Sequence, residues 1–263
     1  MRWMRWTLSV AVCVVALAAV PYADVWDVNG DNDNSSGTDN ELVHGTSQVH
    51  DLGALAGPTA DEDWYRVGIK RQSSFEVVVD STSGDIGFNL NLLQRVDAAG
   101  SQIQNSVSIT PGLDYSHSLR WANTTAGTST EYVRVGPGNC GTACGADDVY
   151  HIRSMETTIS IARFNNAGSQ VTVLLSQNTS EVTINATYYY WSTAGALLQT
   201  GTLPLGAKAL NVFNTTSFGA LQGVGGSITI AHDGSYGSLN VKSVALEPAT
   251  GFSFDTPGVY RGF

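Results

Sequence analysis

From Trp64 onward the chain is written in short runs of alternating apolar and polar residues, and no apolar stripe recurs at the 3.6-residue spacing of a helix. Alternation sends successive side chains to opposite faces of an extended chain, so each run buries one face and must stack against other runs to do so. Trp64-Tyr65-Arg66-Val67-Gly68-Ile69, Phe75-Glu76-Val77-Val78-Val79-Asp80 and Phe88-Asn89-Leu90-Asn91-Leu92 read as strands, as do Tyr115 to Trp121, Glu131 to Val135 and Val149 to Arg153. The pattern continues through Ile159 to Phe164, Val171 to Leu175, Val182 to Trp191, Leu197-Leu198, Ala209 to Phe213, Ile228 to Ile230 and Leu239 to Leu246. Between them stand turn formers: Ser83-Gly84-Asp85, Asp97-Ala98-Ala99-Gly100, Ser192-Thr193-Ala194-Gly195 and Asp233-Gly234, the last expected to close a hairpin between its flanking strands. Short strands at this spacing predict an all-β chain built of sandwiches.

The N-terminus reads differently. Met1-Arg2-Trp3-Met4-Arg5 is basic, Leu8 to Val20 is apolar, and Ala16-Leu17-Ala18 offers a small-residue exit, the pattern of a cleavable signal peptide over 1–23 with cleavage between 18 and 23. The apolar run is shorter than the ~20 residues of a membrane-spanning helix, so no membrane insertion is expected after cleavage. Cys13 follows the bulky Val12, which argues against a lipid anchor. Without the leader the basic residues fall from 13 to 11 against 23 acids, a formal charge of −12. Such a surface repels nucleic acid, whose binding needs clustered Lys and Arg. Export also settles the odd cysteine count: Cys140 and Cys144 remain, and in an oxidising exterior they are expected to close a small disulfide loop that pins a turn.

Between Asp24 and Tyr65 there are ten acids and no Lys or Arg. Asp27, Asn29, Asp31 and Asp33, at alternate positions around Gly30, offer the oxygen donors a hard cation wants, and they are the candidate calcium ligands; the distal bidentate Glu of an EF-hand loop is missing. His44 and His50 share this region but stand roughly 20 Å apart on an extended chain, so they do not read as a metal pair. The chain contains neither His-Glu-x-x-His nor Gly-x-Ser-x-Gly, and the reading is non-catalytic. Tyr188, Tyr190 and Trp191 are the candidate ligand-binding aromatics. Alternation sends Tyr188 and Tyr190 to one face and Tyr189 and Trp191 to the other; an exposed pair would be a stacking platform, a covered pair ordinary core.

Four phrases in order, Asp61-Glu62-Asp63-Trp64-Tyr65-Arg66-Val67, Leu92 to Gly100, Glu131 to Val135 and Val149 to Arg153, resemble the bacterial pre-peptidase C-terminal domain. The resemblance covers 24–155 and implies a jelly-roll-like sandwich, non-catalytic and exported; here it follows the leader with no peptidase before it. The remainder, 156–263, reads as a second, immunoglobulin- or fibronectin-like sandwich. It is similar to uncharacterised β-sandwich regions of secreted bacterial proteins through Arg163-Phe164-Asn165-Asn166 and Ala245 to Phe252. The function expected is that of an extracellular or cell-surface adhesion or structural module. The alternatives are a substrate-binding accessory of a secreted hydrolase and a self-assembling filament subunit, so the expected partners are polysaccharide, protein or further copies of the chain.

Overall fold

The computed structural model describes residues 33–52, 61–81, 93–109, 116–136 and 148–261. Cys140, Cys144, Asp27, Asn29, Asp31 and the strand expected at Phe88 to Leu92 lie outside them, as does the leader. The described chain is an all-β sandwich structure, and no helix in it is long and apolar enough to cross a membrane.

The first part contains β1 (Ser47–Asp51), β2 (Asp63–Ile69), β3 (Ser73–Ser81), β4 (Leu93–Val96), β5 (Gln102–Asn105), β6 (Val107–Ser108), β7 (Ser116–Asn123), β8 (Ser129–Val135) and β9 (Val149–Glu156). They form one sheet in the order β1-β9-β3-β7-β6 and a second in the order β2-β8-β4-β5, with every strand pair antiparallel. Tyr65, Val67, Ile69, Val133 and Leu93 on one sheet meet Phe75, Val77, Leu119, Tyr150 and Ile152 on the other in a single buried cluster. Each such side chain contributes on the order of 1.5–3 kcal/mol by leaving water. Trp64 and Tyr65, at the head of β2, are both buried, and Arg66 reaches Asp39 at 3.5 Å.

The second part contains β10 (Ile159–Asn165), β11 (Val171–Asn178), β12 (Ile184–Ser192), β13 (Leu197–Leu205), β14 (Leu210–Asn214), β15 (Gly225–His232), β16 (Leu239–Glu247) and β17 (Phe252–Tyr260). They make one eight-stranded sheet, β13-β12-β15-β10-β17-β16-β11-β14, folded over on itself. The fold line is β17: Phe252 to Pro257 pair with β16, while Gly258 to Tyr260 pair with β10. Gly258 sits at the change of partner because a Cβ there would collide with the Val241 side chain. β13 and β14 are the two ends of this sheet, and the seam between them carries no strand pairing.

The hairpin expected at Asp233-Gly234 does not form. β15 pairs with β10 and β12, β16 with β11 and β17, so the segment crosses between layers, and Asp233 accepts hydrogen bonds from the backbone N–H and side-chain amide of Asn185.

The two parts meet at Thr157 and Thr158, both fully buried. The Thr157 N–H donates to the Ser74 carbonyl, the Ser74 N–H donates to Thr158 Oγ1, and the His232 N–H donates to Ser74 Oγ. The Glu76 carboxylate accepts from Ser118 Oγ and Arg120 Nε with one oxygen and from the Tyr236 N–H with the other. The joint is therefore a hydrogen-bonded seam of fixed partners.

Candidate functional site

Asp33, His50 and Asp63 come from three separate stretches and bring one ligand atom each to within 4.8 Å of one another. β1 supplies His50 and the first residue of β2 supplies Asp63. Asp33 is held at the side of β2, where its carbonyl accepts from the Trp64 N–H at 2.8 Å. All three are sealed from solvent, at 2%, 1% and 0% exposure.

The surroundings fix each group. Tyr150 donates its hydroxyl to Asp63 Oδ2, and the Tyr65 and Tyr150 hydroxyl oxygens lie 2.6 Å apart, which leaves Tyr65 as the donor to Tyr150. Burial, then the negative charge of Asp63, holds the Tyr150 phenol protonated well above its ordinary range. The His50 ring stacks on Tyr150 at 5.7 Å and meets Tyr65 edge-on at 5.1 Å. Its Nε2 lies 3.0 Å from Gln48 Oε1. An amide oxygen only accepts, so His50 Nε2 is the donor in this hydrogen bond, which orients the ring. The Asn40 carbonyl accepts from the Arg66 N–H at 2.8 Å. Glu41 pairs with Arg66 on the outer side of β2, which turns Asn40 inward with Tyr65, and its buried side-chain amide has no hydrogen-bond partner among the described residues.

Two carboxylates and an imidazole so placed could hold a divalent cation, and a nitrogen donor suits zinc or manganese better than calcium. Of the expected calcium ligands only Asp33 is described, and the structure places it with His50 and Asp63. Sequence reading missed His50 because its partners are 17 and 13 positions away in the chain. The legible signal was an acid-rich stretch, Asp61 to Asp63, leading into an inward-facing aromatic strand. His44 goes elsewhere: its Nδ1 accepts from the Glu156 N–H at 2.6 Å.

The aromatic candidates are redistributed. Tyr188 and Tyr190 share a face, and it is the inner one: at 6% and 1% exposure they belong to the buried cluster of the second part and do not form an exposed stacking platform. The reason is the fold line at β17, which lays the β11–β14 layer over this face of β12. Trp191 points to the other face, donating from Nε1 to Thr229 Oγ1, with the Arg71 guanidinium 5.5 Å above its ring.

No family model and no curated protein matches this chain. Among solved structures it is similar to a β-glucuronidase of Bacteroides uniformis, with 13% identity over 77% of this chain and 26% of that one and a TM-score of 0.21. It is similar also to a glycosyl hydrolase family 2 member from Bacteroides cellulosilyticus, with 11% identity, 89% and 30% coverage and a TM-score of 0.23. A putative β-galactosidase from Bacteroides fragilis gives 8%, 79%, 35% and 0.18. This chain spans between 26% and 35% of the length of those proteins, and likeness at this level assigns it no activity.

Proposed function

We propose that this chain is a secreted, non-catalytic module working at or outside the cell surface, with a divalent cation on Asp33, His50 and Asp63 that fastens the acidic N-terminal segment to the first sandwich. The observation that carries the reading is that the three donors are sealed. A closed ligand set serves structure, whereas a catalytic metal keeps a position open to substrate. The pre-peptidase C-terminal resemblance of 24–155 agrees with it, since that family is exported and non-catalytic. In this reading the first sandwich is a rigid mount and the second presents the contact surface to polysaccharide or protein.

The test is elemental analysis of protein purified from culture medium, with melting curves before and after dialysis against a chelator. Stoichiometric metal and a stabilisation of about 2.7 kcal/mol at a hundredfold excess over Kd are expected, both lost in Asp63→Asn and His50→Ala. Metal-free protein whose melting ignores chelator and added zinc or manganese would sink the cation. Retention on polysaccharide- or protein-coated surfaces tests the adhesive role separately.

A second reading, self-association by strand addition, is favoured by β14, an end strand exposing Leu210 at 58% and Val212 at 59%. Light scattering that stays monomeric at high concentration removes it.

A further inference from the structure

The seam between β13 and β14 encloses a cavity of about 170 Å³ in the second sandwich. Its origin is legible strand by strand. On the inner face of β12, Tyr188 pairs with Gly201 of β13, which offers no side chain, so the layer thins at that point. Across the sandwich Leu174 pairs with Phe213 and Ser176 with Asn211, placing ring and amide opposite the thin point. Because the two end strands do not pair, the gap opens to the outside along their edges. Phe218 forms one wall, 5.9 Å from the Tyr190 ring and 5.1 Å from that of Phe213. It is held there by a buried network in which the Asn166 amide donates to Thr215 Oγ1 and to the Leu221 carbonyl, on either side of Phe218.

The lining is four aromatic rings, Tyr188, Tyr190, Phe213 and Phe218, with Leu174 and Leu203, and it carries few polar groups. One of these is conspicuous. Tyr188 is 6% exposed, and its hydroxyl faces that of Ser176 closely enough to ease the phenol's ionisation, but the two fall short of full hydrogen-bond geometry, so neither is fully satisfied. A buried hydroxyl in that condition carries a desolvation cost that a ligand hydroxyl would relieve. The volume sets the ligand's size. An apolar cavity of about 150 Å³ accepts benzene, so this one takes a single six-membered ring and excludes a disaccharide. Aromatic walls favour an aromatic occupant packed offset or edge-on, and the incompletely satisfied Tyr188 hydroxyl asks for one polar substituent.

We propose that this seam binds a monocyclic phenol, its ring among Tyr190, Phe213 and Phe218 and its hydroxyl on that of Tyr188. The site is independent of the cation cluster and stands whether or not that cluster binds metal. The chemistry is shared by free phenols and by a tyrosine side chain presented on a peptide, so the test uses p-cresol and N-acetyltyrosinamide, with toluene as the ring lacking a hydroxyl. Calorimetric titration of the full exported chain is expected to show saturable p-cresol binding, at least tenfold tighter than toluene. Tyr188→Phe should abolish that preference while toluene binding is unchanged. Leu203→Trp, which fills the cavity from its rim, should weaken both ligands at least tenfold; should that variant not fold, Tyr188→Phe alone carries the decision. Binding of N-acetyltyrosinamide as well as p-cresol assigns the site to a peptide-borne ring, and p-cresol alone assigns it to a free phenol. The proposal is overturned by the absence of saturable p-cresol binding at millimolar concentration, or by p-cresol binding that Tyr188→Phe leaves unchanged.

Discussion

The two sandwiches of this chain solve the same burial problem with opposite chemistry. The first buries Asp33, Asp61, Asp63, Glu76, Asp148 and Glu156, whereas the buried polar groups described in the second after Thr158 are neutral Asn, Thr, Ser and His232. A buried carboxylate is tolerable only with partners, so the first sandwich is specified by ion pairs and charge-assisted hydrogen bonds such as Arg120 to Glu76 at 3.0 Å and Arg95 to Glu131 at 2.9 Å. The second is specified by ring packing and by amides that tie loops, as where the Asn178 amide donates to the carbonyls of Val182, Leu205 and Gly206. Aromatic packing around a glycine leaves an apolar cavity; the first sandwich's smaller one, about 100 Å³, is rimmed by the charged Glu41, Lys70 and Glu156.

The comparison can be broken in several ways. The largest effect is expected at Gly226 of the second sandwich, where a Cβ would overlap the carbonyl oxygen of Trp191 in the neighbouring β12. Gly226→Ala should cost roughly 3 kcal/mol in urea unfolding. No loss would mean that the strands are not held as close as the register requires.

A similar effect should follow pH at the joint. Burial pushes the His232 imidazole down to about 4, with the Asp233 charge and the Thr157 carbonyl opposing the shift and Arg120 adding to it. Above pH ~6.5 the ring is neutral folded and unfolded, and its contribution is intact. As pH falls from ~6.5 toward 4 the unfolded chain takes up the proton first, so stability drops by about 3 kcal/mol in total and levels off below 4. A His232→Gln variant should lose this part of the slope; a wild-type profile flat from pH 7 to 4 would contradict the burial.

The sharpest contrast comes from one substitution made twice. Tyr150→Phe in the first sandwich removes the donor to Asp63 and should cost about 2 kcal/mol, because the carboxylate stays buried. Tyr188→Phe in the second removes a hydroxyl that meets only Ser176, short of full hydrogen-bond geometry, and should change stability by about 1 kcal/mol or less. Equal losses at both positions would erase the distinction between the two cores.

Much of the strand map follows from alternation alone. β2, β3, β7, β8, β9, β10, β11, β14 and β16 stand where the runs predict them, within a few residues. β17 escapes such a reading, because Pro257 and Gly258 interrupt it and Phe252 and Phe254 are exposed at 69% and 60%, so its pattern is not that of a half-buried strand. Its job is to change partners, and only the sheet it joins reveals that. The hairpin expected at Asp233-Gly234 failed for a related reason: turn chemistry specifies that the chain reverses, not which layer receives the next strand.

Side-chain period and composition are local properties, and from them alone this protein reads as all-β, acidic and rich in aromatics on its strands. Alternation also puts Tyr188 and Tyr190 on one face. Tertiary structure decided which face that is, since the fold line at β17 is what covers it. Tertiary structure likewise gathered Asp33, His50 and Asp63, whose proximity depends on β1 and β2 reaching the same end of the first sandwich. Distances between segments are set by packing, and no spacing along the chain encodes them.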